Sequence, residues 1–226
     1  MRQTRLRPTR TALVLLTILL AFGLAACGSD DDSGDSGSSG KTEAVEKAFL
    51  TAMVSHHESA ITMSAIAKEK GEDPFITKLA GDITSAQERE IDEMDAIYKR
   101  LFKTTLKPDP GAHDGLGLSA EQAGMTHSEG TSKMLEAADP FDRAFVDEMV
   151  PHHEGAIKMA NVLLKSTKDD QLRKLAEGIV STQDTEVKEM NAFRTREYGG
   201  PVPEGAGHGG GKQQPEGEEH GAGHSP

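Results

Sequence analysis

The sequence predicts an all-α protein, and more specifically a four-helix bundle made of two duplicated helical hairpins. The composition is rich in Ala, Glu, Lys, Leu and Met, has no Trp and contains only 4% aromatic residues, which favours helix over sheet. Apolar residues recur with a period near 3.6 in several long segments. Residues 49–98 also align with residues 145–194 at a constant offset of 96, without a gap and with about 20 identities. Chance does not produce such a match, so the chain contains an internal repeat.

The N-terminus has the layout of a targeting segment. Residues 1–26 begin with several arginines and continue into a short apolar run, as in a secretory signal peptide. The run ends in Leu-Ala-Ala-Cys at positions 24–27, which resembles the lipobox of bacterial lipoproteins. We therefore expect lipidation of Cys27 and a location in the cell envelope, outside the cytoplasm and anchored to the membrane. Residues 27–40, rich in Ser, Gly and Asp, are expected to form a flexible tether.

The bundle is predicted to cover residues 41–198, and its first hairpin covers residues 42–102. The first helix of that hairpin is expected to end at Gly71. Asp73 and Pro74 follow, an N-cap residue and a proline suited to the first helical position, so a second helix should begin there.

The second hairpin is predicted at residues 139–198, and Asp-Pro at positions 139–140 repeats the cap signal. Residues 103–138 between the hairpins are interrupted by proline and glycine, so they read as a linker, with one short helix near residues 131–138. A single hairpin cannot bury both of its apolar faces. The two hairpins should therefore pack together as one domain.

Charge and cysteine content exclude several classes of function. The formal charge is −12, and loss of the four arginines in residues 1–26 would make it −16. Such a surface repels nucleic acid and attracts cations, so no nucleic-acid partner is expected. Cys27 is the only cysteine, which excludes an intramolecular disulfide and a thiolate metal cluster. The Gly-, Glu- and His-rich tail at residues 199–226 has little to bury and should be disordered.

A run of methionine and histidine occurs twice. Residues 53–63 read Met-Val-Ser-His-His-Glu-Ser-Ala-Ile-Thr-Met, and residues 149–159 read Met-Val-Pro-His-His-Glu-Gly-Ala-Ile-Lys-Met. On a helix, their Met, His and Ala residues fall within a stripe about 120° wide. Gln, Glu and Met share a face on the second and fourth helices, so the stripes could converge. The candidate metal-binding residues are Met53, His56, His57, Met63, Glu90, Met94, Met149, His152, His153, Met159, Glu186 and Met190.

These donors favour a soft metal. Thioether sulfur binds few ions other than Cu(I) and Ag(I), while imidazole suits copper as well as zinc, iron and nickel. Each residue type also has a structural interpretation, since methionine at helical spacing commonly fills a core and buried histidines are commonly hydrogen-bonded. Glu58 and Glu154 lie away from the stripe and are expected to face solvent. One shared metal site and two equivalent sites are both compatible with the pattern.

Two copies of Met-x-x-His-His-x-x-Ala-Ile-x-Met, each followed by Gln-x-x-Glu-x-x-x-Met, resemble the secreted bacterial family catalogued as domain of unknown function 305, over roughly residues 41–198. The resemblance implies a ferritin-like four-helix bundle that binds copper or silver through Met and His. It also implies a role in copper or silver tolerance. From the duplicated Met/His stripes themselves we expect metal sequestration or transfer without catalytic turnover, with a metal ion and a metal-exchange protein as partners. The residues implicated are Met53, His56, His57, Met63, Met94, Met149, His152, His153, Met159 and Met190.

Two other functions are compatible with the predicted fold. Ferritin-like bundles also include di-iron and di-manganese carboxylate enzymes, which use Glu-x-x-His on two helices. That motif does not occur in residues 41–198. A helical interaction module with purely structural histidines is the third interpretation. The residues in or beside the linker that could bind metal show too little pattern to predict an auxiliary site; they are His113, Met125, His127 and Met134.

Overall fold

The computed structural model describes residues 36–126 and 129–204. Within these ranges the chain forms helices, turns and irregular segments without a strand, which confirms the predicted all-α class. None of the described helices has both the length and the apolarity needed to cross a bilayer. The helices are α1 (Ser36–Lys70), α2 (Pro74–Phe102), a 3-10 helix (Pro110–Leu116), α3 (Glu129–Ala137), α4 (Phe141–Leu164) and α5 (Asp170–Tyr198).

Several predictions fall outside the described residues. These are the signal peptide (1–26), the lipidated Cys27, His127 and all but the start of the tail. The structure does describe the end of the predicted tether, because α1 already begins at Ser36. Extending an existing helix is far less costly than nucleating one, so α1 continues backwards through a Ser- and Gly-rich stretch that would not form a helix alone.

One of the predicted capping signals is present and another is not. The side chain of Asp73 accepts a hydrogen bond from the Phe75 N–H at 2.7 Å, which fixes the start of α2. The predicted cap at Asp139 is wrong, because Pro140 occupies the N-cap position of α4 and no described side chain caps it. Asp139 therefore precedes the cap residue, and proline offers no side-chain acceptor in its place.

The four long helices form a bundle of two hairpins, α1–α2 and α4–α5, that meet mainly through α1 and α4. One apolar cluster joins residues 49–54 of α1 to residues 156–163 of α4, and a second joins residues 60–67 to residues 145–150. α1 and α4 are therefore antiparallel and meet at their histidine motifs. This arrangement confirms the predicted four-helix bundle of duplicated hairpins.

An acidic residue of each hairpin binds the turn of the other hairpin. Asp142 on α4 accepts hydrogen bonds from the backbone N–H groups of Glu72 at 3.0 Å and Asp73 at 2.8 Å, in the α1–α2 turn. Thr167, in the α4–α5 turn, donates its hydroxyl to Glu46 Oε1 on α1 at 2.7 Å. Glu46 and Asp142 are separated by the repeat offset of 96. The internal repeat therefore extends to these tertiary contacts.

The linker between the hairpins packs against the bundle. Leu116 and Ala123 are buried in the first apolar cluster, and Leu135 of α3 is buried in the second. His113 uses its Nδ1–H to donate to the Leu118 carbonyl at 2.9 Å, so it stabilises a turn of the linker. The linker is thus an ordered part of the domain between residues 103 and 126.

Candidate metal centre

Two buried histidines each bind a carboxylate on the neighbouring helix. His57 Nε2 on α1 lies 2.8 Å from Glu90 Oε2 on α2, and His153 Nε2 on α4 lies 2.8 Å from Glu186 Oε2 on α5. Both imidazoles are fully buried, whereas the Glu90 and Glu186 side chains keep 18% and 11% of their surface exposed. The two pairs are related by the repeat offset of 96.

This contact determines the tautomer of both imidazoles. A carboxylate can only accept, so Nε2 carries the hydrogen and Nδ1 keeps its lone pair. Within the described part of the chain, Nδ1 of His57 and Nδ1 of His153 are buried without a hydrogen-bond partner. Each hairpin therefore holds a fully buried imidazole whose Nε2 binds a carboxylate and whose Nδ1 is left for a ligand.

The other histidine of each motif lies at the contact between the hairpins. The rings of His56 and His152 are 3.6 Å apart between centroids, with an interplanar angle of 35°. His56 Nε2 donates to the His152 carbonyl oxygen at 2.9 Å. The four histidines predicted for the site thus have two different roles in the structure: two contact carboxylates within a hairpin, and two stack across the interface.

The six methionines of the predicted site are all buried, with at most 2% of their surface exposed. They separate into two groups of three, one in each apolar cluster. The groups are Met53, Met94 and Met159 in the first cluster, and Met63, Met149 and Met190 in the second. Each group contains two methionines of one hairpin and one of the other. Each methionine of one group is separated by the repeat offset of 96 from a methionine of the other group.

Two buried glutamines lie beside the carboxylates and were not among the predicted site residues. Gln87 precedes Glu90 by one turn of α2, and Gln183 precedes Glu186 by one turn of α5. Both are only 2% exposed, and both ends of each amide lack a hydrogen-bond partner among the described residues. The sequence signal that could have indicated these two residues is the presence of glutamine at matching positions of the repeat.

The linker covers one side of the stacked histidines. A Cβ atom on Gly124 would lie 2.7 Å from the His152 carbonyl oxygen and 3.2 Å from His56 Nε2. A Cβ atom on Gly155 would lie 2.3 Å from backbone atoms of Ala123. Both positions need glycine because backbone approaches backbone there, and Gly124 also has a positive φ of 66°. Sequence reasoning missed this contact, although Gly155 replaces the Ser59 of the first motif.

Known proteins resemble the chain over the bundle. CopM in its Cu(I)-bound form is 33% identical, covers 68% of this chain and 97% of its own, and has a TM-score of 0.57. CopM has also been solved in Ag-bound and Cu(II)-bound forms. A DUF305 fragment from Deinococcus radiodurans is 27% identical over 67% of this chain and 96% of its own, with a TM-score of 0.58.

A curated relative shares a shorter region. The uncharacterized protein L153 of Acanthamoeba polyphaga mimivirus is 37% identical over 52 residues, which is 23% of this chain and 34% of that protein. The chain thus spans about a third of the length of this relative. The profile of the family described as domain of unknown function (DUF305) matches residues 46–194, more than half of the chain. The chain therefore belongs to the DUF305 family.

Proposed function

We propose that the chain is a lipid-anchored protein of the cell envelope that binds a soft metal ion, copper as Cu(I) or silver as Ag(I). Its role is sequestration, tolerance or transfer of the metal, without catalytic turnover. The observation that carries this proposal concerns residues 36–126 and 129–204. There the Nδ1 atoms of His57 and His153 are buried without a hydrogen-bond partner, in a core with six buried methionines.

The donor set fits a soft ion. Each imidazole has an Nδ1 atom without a hydrogen-bond partner among the described residues, and its carboxylate partner orients the ring, as second-shell partners of metal-binding histidines do. Thioethers in a dry core are weak ligands for most ions but suit Cu(I) and Ag(I). An unpaired buried polar atom costs about 1–3 kcal/mol, so a bound ion would offset a cost that the folded chain otherwise bears.

The alternatives account for fewer of these features. A di-iron or di-manganese centre needs several carboxylates and two histidines around one position. Within residues 36–126 and 129–204, no group of three or more His, Cys, Asp or Glu residues could hold an ion. A purely structural packing module would leave the Nδ1 atoms of His57 and His153 and the amides of Gln87 and Gln183 without a function.

Relatives and the N-terminal sequence support the same proposal. The CopM structures carry Cu(I), Cu(II) or silver, and their chain is aligned with this one over nearly its whole length. The Leu-Ala-Ala-Cys sequence at residues 24–27 supports lipid anchoring in an oxidising compartment, where thioethers persist as ligands but thiolates are easily lost.

An anaerobic titration tests the proposal. The full chain is titrated with Cu(I) against a competing chelator, beside the double variant His57→Leu, His153→Leu. We expect tight binding by the parent chain and a loss of affinity of more than about tenfold in the variant, because each site loses its imidazole. Circular dichroism should show unchanged helix content.

A matched variant removes histidines elsewhere in the chain. The substitutions His208→Gln, His220→Gln and His224→Gln in the tail should leave the tight binding intact. Equal, weak Cu(I) uptake by the parent chain and the His57, His153 variant would refute the proposed function.

A further inference from the structure

The antiparallel contact of α1 and α4 determines which methionines share an apolar cluster. Met53 and Met63 lie on opposite sides of His56 on α1, and Met149 and Met159 lie on opposite sides of His152 on α4. Because the helices meet at these histidines in opposite directions, Met53 shares an apolar cluster with Met159, and Met63 shares one with Met149. A motif that is continuous in sequence is therefore divided between the two ends of the bundle.

Each end of the bundle also contains one histidine that is hydrogen-bonded to a glutamate. His57 follows Met53 by four residues on α1, and Glu90 precedes Met94 by four residues on α2. Residues four apart share a helix face, so the His57–Glu90 pair adjoins the cluster that contains Met53 and Met94. By the repeat offset, the His153–Glu186 pair adjoins the other cluster in the same way.

We infer that the chain holds two equivalent Cu(I) sites and that each site takes ligands from both hairpins. This inference rests on the proposed function. The first site consists of Met53, Met94, Met159 and His57 Nδ1. The second site consists of Met149, Met190, Met63 and His153 Nδ1. Glu90 and Glu186 are positioning residues that hold the imidazoles, and they do not bind the ion.

Two sites shared between the hairpins differ from a single central site in two ways. The chain binds two ions. The ion of the first site links α1 and α2 to α4, and the ion of the second site links α4 and α5 to α1. Metal binding therefore holds the hairpins together at both ends of the bundle. If each hairpin instead formed its own site, Met63 would serve the site of His57, and Met159 would serve the site of His153.

The test first removes the second site and then determines whether Met159 or Met63 contributes to the first site. In the full chain, Met149→Leu and Met190→Leu remove two ligands of the second site. Leucine conserves volume, so the core remains filled. Into this background either Met159→Leu or Met63→Leu is introduced, and Cu(I) affinity and stoichiometry are measured anaerobically with a competing chelator. Matched controls are Met125→Leu and Met134→Leu, since each of these methionines packs against one of the two clusters outside the proposed sites.

We expect two tightly bound ions in the parent chain and one in the background variant. Met159→Leu should weaken the remaining ion by tenfold or more, whereas Met63→Leu and the two controls should change its affinity by less than threefold. A single ion in the parent chain, or the opposite effects of Met159→Leu and Met63→Leu, would overturn the inference while leaving the proposed function intact. Absence of tight binding by the parent chain would refute both.

A second readout needs no further substitution in the first site. In the background variant labelled with ¹³C at the methionine methyl groups, addition of Ag(I) should shift the signals of Met53, Met94 and Met159. The Met63 signal should stay in place. Movement of Met63 in place of Met159 would overturn the inference even if the Met159→Leu variant failed to fold.

Discussion

Glu90 and Glu186 decide which ring nitrogen of their histidine partners is available to a ligand. Each carboxylate accepts the Nε2–H of a fully buried imidazole at 2.8 Å, which leaves Nδ1 with its lone pair. Both carboxylates keep a small part of their surface exposed, 18% for Glu90 and 11% for Glu186, so each lies between a buried imidazole and the solvent.

If Glu186 positions the His153 ring, its two substitutions should lower the Cu(I) affinity to different degrees. Glu186→Ala should lower the Cu(I) affinity of its site by about 10–100-fold, because nothing then orients the His153 ring. Glu186→Gln should recover most of that affinity, since an amide oxygen also accepts the Nε2–H. Competitive Cu(I) titration of the three proteins measures the effect, and their melting temperatures check that the fold is retained.

The matched control is Glu154→Ala, which removes an equal charge from an exposed position next to His153. Its Cu(I) affinity should stay within about threefold of the parent value, because an exposed charge is largely screened. A loss at Glu154 as large as the loss at Glu186 would mean that net charge, and not ring orientation, determines the affinity.

The start of α5 shows how one residue can serve two elements. Asp169 accepts a hydrogen bond from the Leu172 N–H at 2.9 Å, which caps α5, and another from the Arg100 guanidinium at 2.7 Å, which joins it to the end of α2. The Arg100 hydrogen bond holds the pKa of the Asp169 carboxyl below its ordinary value. Such a group stabilises the fold above its unfolded pKa of about 3.9, and this contribution is lost as the pH falls through the folded pKa.

Substitution of Asp169 should separate the cap from the ion pair. Asp169→Asn keeps a good cap and loses only the pair, so unfolding free energy at pH 7 should fall by about 0–1 kcal/mol. Asp169→Ala loses both the cap and the ion pair, so the unfolding free energy should fall by about 1–2 kcal/mol. Urea unfolding at pH 7, 5 and 3 measures the difference in unfolding free energy between the parent and the Asn variant. This difference should shrink only below about pH 4, where the carboxyl of the unfolded parent begins to bind a proton.

The neighbouring Asp170 supplies the control, because it is exposed and lies in the first turn of the same helix. Asp170→Asn should lower stability by only a few tenths of a kcal/mol through the helix dipole. If the Asp169→Asn difference were the same at pH 3 as at pH 7, the ion pair with Arg100 would not be its source.

For the molecule as a whole, the duplication made the four helices and their pairing into hairpins predictable. The sequence could not show that both hairpins contribute to each apolar cluster, since periodicity identifies an apolar face but not the helix that it meets. For the same reason, Glu90 was recognised on the face of Met94, but its contact with His57 was not. The linker was recognised by its prolines and glycines, whereas its packing depends on tertiary contacts that composition does not encode.

The linker also breaks the symmetry of the repeat, and this has a testable consequence. It contacts the bundle at Gly155, where the other motif has Ser59, and it covers the stacked histidines from that side. In Gly155→Ala, the added methyl group would meet the backbone of Ala123 at 2.3 Å, and residues 117–126 would have to move away. Alanine favours the helix by about 1 kcal/mol and the clash costs about 1–3 kcal/mol, so global stability should fall by no more than about 2 kcal/mol.

The local effect of Gly155→Ala should exceed the global one. We expect amide hydrogen exchange in residues 117–126 to accelerate more than exchange in α1 and α4. Cu(I) uptake should also become faster, because this segment contributes Ala123 to the apolar cluster of Met53, Met94 and Met159 and would no longer cover it. Gly178→Ala on α5 is the control, since a Cβ atom there meets nothing within 4 Å. It should stabilise the bundle by up to about 1 kcal/mol and leave exchange in the linker unchanged. A uniform increase of exchange throughout the Gly155→Ala bundle would instead mean that this contact stabilises the whole fold, and that the linker does not control access to the histidines.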